Sequence, residues 1–234
     1  MNENKKIARI AGVWYLCIAV FYTIGMIYGD KAFYVPGDAT STINNILSSE
    51  WMFRLAIVST LIGHVCFLFL VNALYKLFKP VNENWARMMV LFVVVGVSIS
   101  SISCVNQFVS ILLLNGSEYL STVETTHLNA LAILFLDIYK YGANVAVIFW
   151  GLWLLPLGLL IFKSGIIPKI LGALLIITCF SYLVDFTLFY FLPKWIPVVD
   201  PVQTAIQVGS EVSFLFWLLV KGAKESDCGK IAGS

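Results

Sequence analysis

The chain has 234 residues, of which 60% are hydrophobic and only 12% charged, and its formal net charge is +2. Soluble domains carry about 25% charged residues, so this composition excludes an ordinary soluble fold. The small positive excess then reads as a topology signal and not as a nucleic-acid footprint.

Six apolar stretches approach or exceed the roughly 20 residues that span a hydrocarbon core of about 30 Å. They predict an all-α, single-domain membrane bundle with helices over 10–28, 53–78, 88–114, 131–162, 168–192 and 201–220. Little chain remains between them, so no soluble catalytic or nucleotide-binding domain is expected. Lys5 and Lys6 ahead of the first run imitate a signal peptide, but the run is too long and no small-x-small site follows it. In the loop after helix 1, Pro36-Gly37 predicts a turn and Asp38 a cap. A short interfacial helix should follow through Leu47, with Ile43, Ile46 and Leu47 toward the membrane. Trp51, Trp85 and Trp195 fall where helices 2, 3 and 5 meet the membrane surfaces. Asn115-Gly116-Ser117 has the form of a glycosylation acceptor and is read as a turn. Pro156 predicts a kink in the long fourth helix, and 222–234 a loose polar tail.

Six crossings place both ends on one side. Of the fifteen Lys and Arg residues, only Lys31, Arg54, Lys140 and Lys194 fall on the opposite side or in the helix ends that face it. The positive-inside rule therefore predicts cytoplasmic termini. The five cysteines have neither CxxC nor metal-ligand spacing and read as small buried apolar residues. The two histidines, His64 and His127, add no zinc spacing, so no metal and no cofactor is expected.

The order of several short motifs resembles a bacterial membrane family catalogued as domain of unknown function 4386. They are Arg9-Ile10-Ala11-Gly12, Pro36-Gly37-Asp38-Ala39, Asn45-Ile46-Leu47, Phe53-Arg54 and Pro80-Val81-Asn82. They continue as Leu136-Asp137, Tyr141-Gly142, Pro168-Lys169-Ile170-Leu171-Gly172, Tyr182 with Asp185, and Glu211 before Trp217-Leu218-Leu219-Val220-Lys221-Gly222. The resemblance implies a multi-pass protein of the bacterial cytoplasmic membrane and brings no settled activity. A faint internal echo relates Arg9-Ile10-Ala11-Gly12 to Lys169-Ile170-Leu171-Gly172; shared apolar composition accounts for it as well as an old duplication does.

Glu211 lies near the middle of the last apolar stretch. A lone ionised carboxylate at that depth costs several kcal/mol, so it must face protein or water and have a partner. Helical spacing groups further polar residues on single faces. Helix 4 presents Asp137, Lys140, Tyr141 and Asn144; helix 5 presents Thr178, Ser181, Tyr182 and Asp185; helix 6 presents Gln203, Gln207, Ser210 and Glu211. Helix 3 carries Gly96, Ser100, Ser103, Gln107 and Ser110, better read as close helix packing than as a site.

With Arg54, most of the charged positions fall in the outer half, as a cavity open to the outside requires. The candidate binding residues are Arg54, Asp137, Lys140, Tyr141, Asn144, Asp185, Gln207 and Glu211. Three acids face two bases. The unmatched acid either carries a proton or holds a cation or a ligand amine. A structural ion-pair network accounts for the same residues equally well. No P-loop, HExxH, nucleophile elbow or dinucleotide fingerprint is present, so no catalytic residue is assigned. Three functions fit these residues. Binding or translocation of a small molecule or ion is favoured over a membrane enzyme on a lipid-like substrate and over a non-catalytic structural or regulatory subunit. The expected partners are the lipid bilayer and a small-molecule or cation ligand, with no nucleic acid.

Overall fold

The computed structural model describes residues 3–116 and 120–223; the expected loose tail lies outside them from residue 224 onward. The fold is all-α, and among the described residues there is no strand. The order is α1 (Glu3–Gly25), a π-helical turn (Met26–Asp30), α2 (Lys31–Phe33), α3 (Ala39–Ser48), α4 (Glu50–Phe78) and α5 (Glu83–Leu114). It continues as α6 (Thr125–Leu152), α7 (Leu154–Ser164), α8 (Lys169–Phe191), a 3₁₀ turn (Pro193–Trp195) and α9 (Ile196–Val220). Six helical segments are long and apolar enough to cross a membrane, with α6 and α7 together forming one of them. Their outward faces are apolar: Ile102 is 70% exposed and Phe191 73%. Side chains of that kind, ranged along whole helices, need hydrocarbon around them, and the protein is a membrane protein.

Most helices start ahead of the expected apolar stretch, α1 at Glu3, α5 at Glu83 and α6 at Thr125 among them, and prolines shape two places. The last helix starts at Ile196 and not at 201, because Pro197 sits in the first turn, where its missing N–H would have had no partner. Pro201 then lies inside the helix and forgoes one backbone bond. The long fourth stretch is divided at Trp153 into α6 and α7, and Trp153 itself keeps right-handed helical backbone. Pro156 has no N–H to offer the carbonyl of Leu152, so one backbone bond is missing there, while Trp153 still donates to Phe149 and Leu157 to Trp153.

The chain divides into two compact units: 1–16 with 66–97 and 144–234, and 17–65 with 98–143. In the first, α7 and α8 cross closely. A Cβ on Gly158 would lie 2.7 Å from the carbonyl oxygen of Gly172, and a Cβ on Gly172 would lie 2.9 Å from that of Gly158. Gly12 serves the same end for α1, where a Cβ would lie 2.9 Å from the backbone nitrogen of Leu219. Both glycines of the internal echo are thus points of close helix approach.

The second unit has its core at Phe33, Ile46, Phe53, Ile57, Cys104, Ile111 and Leu136. The interfacial helix exists as α3, capped by Asp38, which accepts a hydrogen bond from the Ser41 amide. Its apolar face is placed differently from the expectation. Ile43 and Ile46 are buried at 8% and 1%, and Leu47 alone stays exposed at 47%. The edge-on pair Phe33 and Phe53 belongs to the same apolar cluster as Ile46, which turns that face into the protein. The small-residue stripe of α5 does pack closely, as Ser110 donates to the Ala132 carbonyl at 2.7 Å and Ser100, Ser103 and Gln107 are all buried.

Candidate functional site

The polar stripes of α8 and α9 pair with one another in the first unit. Gln203, Gln207 and Glu211 recur every four residues and so share one face of α9. Ser181, Tyr182 and Asp185 answer them on α8. The Ser181 hydroxyl donates to Gln203 Oε1 at 3.0 Å, and Gln203 Nε2 donates to the Ser181 carbonyl at 3.0 Å. Gln207 Nε2 donates to Ser181 Oγ at 3.1 Å and also to Asp185 Oδ2. Tyr182 donates its hydroxyl to Glu211 Oε1 at 2.7 Å, and Tyr15 of α1 donates to Glu211 Oε2 at 2.9 Å. Both carboxylate oxygens of Glu211 are therefore engaged, and the acid joins three helices. Buried polar groups must be satisfied in this way where water is excluded.

Beside this zipper lies a cleft of about 240 Å³ lined by Asn144 and Val147 of α6, Tyr182, Asp185, Leu188 and Phe189 of α8, and Ile196 and Asp200 of α9. Two carboxylates line it and no basic residue does. Tyr182 belongs to both features, since its side chain lines the cleft and its hydroxyl ends on Glu211.

Of the eight residues expected from the sequence, Asn144, Asp185, Gln207 and Glu211 come together here, through the cleft or the hydrogen bonds beside it. The other four lie in the second unit. Arg54 Nε bonds Glu50 Oε1 at 2.6 Å, and Asn115 donates to the other oxygen of Glu50 at 3.0 Å. This is an exposed i,i+4 pair, a kind worth about 0–1 kcal/mol. The Lys140 ammonium sits over the Tyr34 ring, and both line a hollow of about 20 Å³ with Gln107 and Tyr139. That is room for about one water. Asp137 is half-buried and Tyr141 is 56% exposed. His64 bonds Ser101 Oγ at 3.0 Å and packs edge-on to Tyr22, a structural histidine.

Three participants escaped the sequence reading as site residues. Tyr182 was seen on its stripe, but its partner was not. Tyr15 follows Ala8 and Ala11 and precedes Ile18 along the buried face of α1, a spacing that marks it as inward-facing. Asp200 stands just before the expected start of the last helix, where an acid reads as a solvated cap.

The family model described as "Domain of unknown function (DUF4386)" matches residues 10–222. A protein of Archaeoglobus fulgidus (strain ATCC 49558 / DSM 4304 / JCM 9628 / NBRC 100126 / VC-16), named "Uncharacterized protein", is 30% identical over 165 residues, which is 66% of this chain and 76% of that protein. No solved structure matches the chain.

Proposed function

The chain belongs to the DUF4386 family of multi-pass membrane proteins, and on that premise we propose that it binds a small cation or protonated amine, for retention or passage, in the acidic cleft of α6, α8 and α9. The observation that carries the reading is the lining: Asp185 and Asp200 contribute two carboxylates, Asn144 an amide and Tyr182 a phenol, with no base among them. A positively charged guest supplies the missing partner, and the apolar walls Val147, Leu188, Phe189 and Ile196 suit a small organic ammonium better than a fully hydrated ion. The positive-inside count, which predicts a cytoplasmic Lys221 end of α9, supports a cleft that faces outward.

The test is equilibrium binding of radiolabelled methylammonium and of sodium to the purified full-length protein in detergent. Saturable methylammonium binding is expected, weakened at least about 10-fold in Asp185→Asn, as loss of a charged hydrogen-bonding partner predicts. Binding unchanged in both Asp185→Asn and Asp200→Asn would reject the cleft as a cation site.

A further inference from the structure

A second cavity in the first unit lies away from the acidic cleft. It is a groove of about 540 Å³ between α4 and α5, lined by Leu68, Val71, Asn72, Tyr75, Arg87, Val90, Leu91 and Val94. Its composition is graded along the helices. At the hairpin end, Glu83 receives Arg87 at 2.7 Å and Tyr75 at 3.3 Å and faces Lys79 at 3.7 Å. One acid shared by two bases leaves that mouth positive, and the Arg87 side chain is 63% exposed. Beyond it the walls are aliphatic and open outward: Leu91 is 61% exposed and Val94 42%.

Between the two zones stands Asn72. It lies six residues inside the end of α4, about 9 Å along the axis. Its side chain is exposed and has no hydrogen-bond partner among the described residues. An amide left bare at that depth is unfavourable in hydrocarbon, where no water can satisfy it. A partner from outside the protein removes that cost. The required guest therefore has an anion at one end, hydrogen-bond acceptors next to it and an apolar chain beyond.

We propose that this groove holds a glycerophospholipid with an anionic headgroup. Its phosphate sits on Arg87, an ester carbonyl accepts from Asn72, and an acyl chain runs along Leu68, Leu91 and Val94. A second copy of this chain fits less well, because it would have to cover the exposed, charged Arg87. The site is independent of the acidic cleft and of its ligand.

The experiment is native mass spectrometry of the delipidated full-length protein in mild detergent, titrated with dioleoyl phosphatidylglycerol or dioleoyl phosphatidylcholine. Phosphatidylglycerol should be retained about 5-fold better than phosphatidylcholine, the order expected of one basic contact. Arg87→Gln should erase that preference, and Asn72→Leu should weaken both lipids about equally. Leu91→Trp, which fills the groove from an exposed position, should remove retention, whereas Ile102→Trp, exposed elsewhere, should not. Should Arg87→Gln fail to fold, Asn72→Leu and Leu91→Trp decide the matter alone. Equal retention of both lipids, retention unaffected by Leu91→Trp, displacement by equimolar inorganic phosphate, or a lipid-excluding dimer would each overturn the proposal.

Discussion

Tyr182 and Glu211 are joined by a 2.7 Å hydrogen bond from α8 to α9, and the tyrosine side chain is part of the wall of the acidic cleft. The carboxylate is not among the residues lining that cleft. Glu211 is therefore linked to the cleft through the tyrosine it holds, while Tyr15 donates to its other oxygen.

The bond has a consequence for stability. Glu211→Leu leaves two phenols without an acceptor, and an unsatisfied hydroxyl costs about 1–3 kcal/mol. Tyr15→Phe and Tyr182→Phe each remove a donor and should cost about as much. The triple variant should lose less than the sum, because groups of one network are not additive. Thermal unfolding of the five proteins in detergent gives the answer. Strictly additive losses would mean that the three groups do not act as one network.

A contrasting pair of glycines tests the helix crossing. Gly158→Val places atoms against the Gly172 carbonyl, and forced overpacking should lower stability by about 1–3 kcal/mol. Gly209→Ala meets nothing within 4 Å. Exchanging a helical glycine for alanine at such a place should raise stability by about 0.5–1 kcal/mol. The same detergent melts read both, and a neutral Gly158→Val would show that α7 and α8 do not depend on close contact there.

The zipper of α8 and α9 shows what the sequence could and could not reveal. The four-residue recurrence of Gln203, Gln207 and Glu211 is a property of one helix, so periodicity finds it. Which stripe faces which depends on helix order and rotation, and a lone periodicity contains neither. Charge alone would pair Glu211 with a base, and Arg54 and Lys140 are the two bases among the expected site residues. In the structure the carboxylate is met by two phenols, because hydrogen bonding satisfies it without a second buried charge. Arg54 has an acid one turn away at Glu50, in the residues ahead of the expected helix start. The helix count was legible because length and hydropathy suffice for it. The inward face of α3 was not, because Ile43 and Ile46 are equally apolar against lipid or against protein.

Asp38 makes a pH-dependent cap. Hydrogen bonds from the Ser41 hydroxyl and amide hold its carboxyl below the usual carboxylate range. A depressed folded-state pKa stabilises above the unfolded value of about 3.9 and is lost as pH falls through the folded value. Hydrogen exchange at Ser41 and Thr42 should be faster in Asp38→Ala than in the parent at pH 7, with Asp38→Asn between them. The gap between parent and Asp38→Ala should narrow below about pH 4. A gap independent of pH would show that the ionised carboxylate contributes nothing beyond its geometry.

Orientation is open to direct chemical test. The base count predicts that both termini and the α4–α5 hairpin are cytoplasmic, which puts the loop before α3, the loop before α6 and the Asp200 end of α9 outside. Cys66, Cys104 and Cys179 are buried and Cys17 is half-buried, and all four are free thiols, so a cysteine-free background built with alanine removes no bridge among them. Single cysteines at Ser41 and Ser121 in that background should react with an impermeant maleimide on intact cells. Cysteines at Asn84 and Ser226 should react only after permeabilisation. The inverse pattern would place the acidic cleft on the cytoplasmic face, so that a guest would enter from inside the cell, and would move the basic mouth of the α4–α5 groove to the outer leaflet. A mixed pattern, with Ser41 and Asn84 on one side, would mean that α4 does not cross the bilayer.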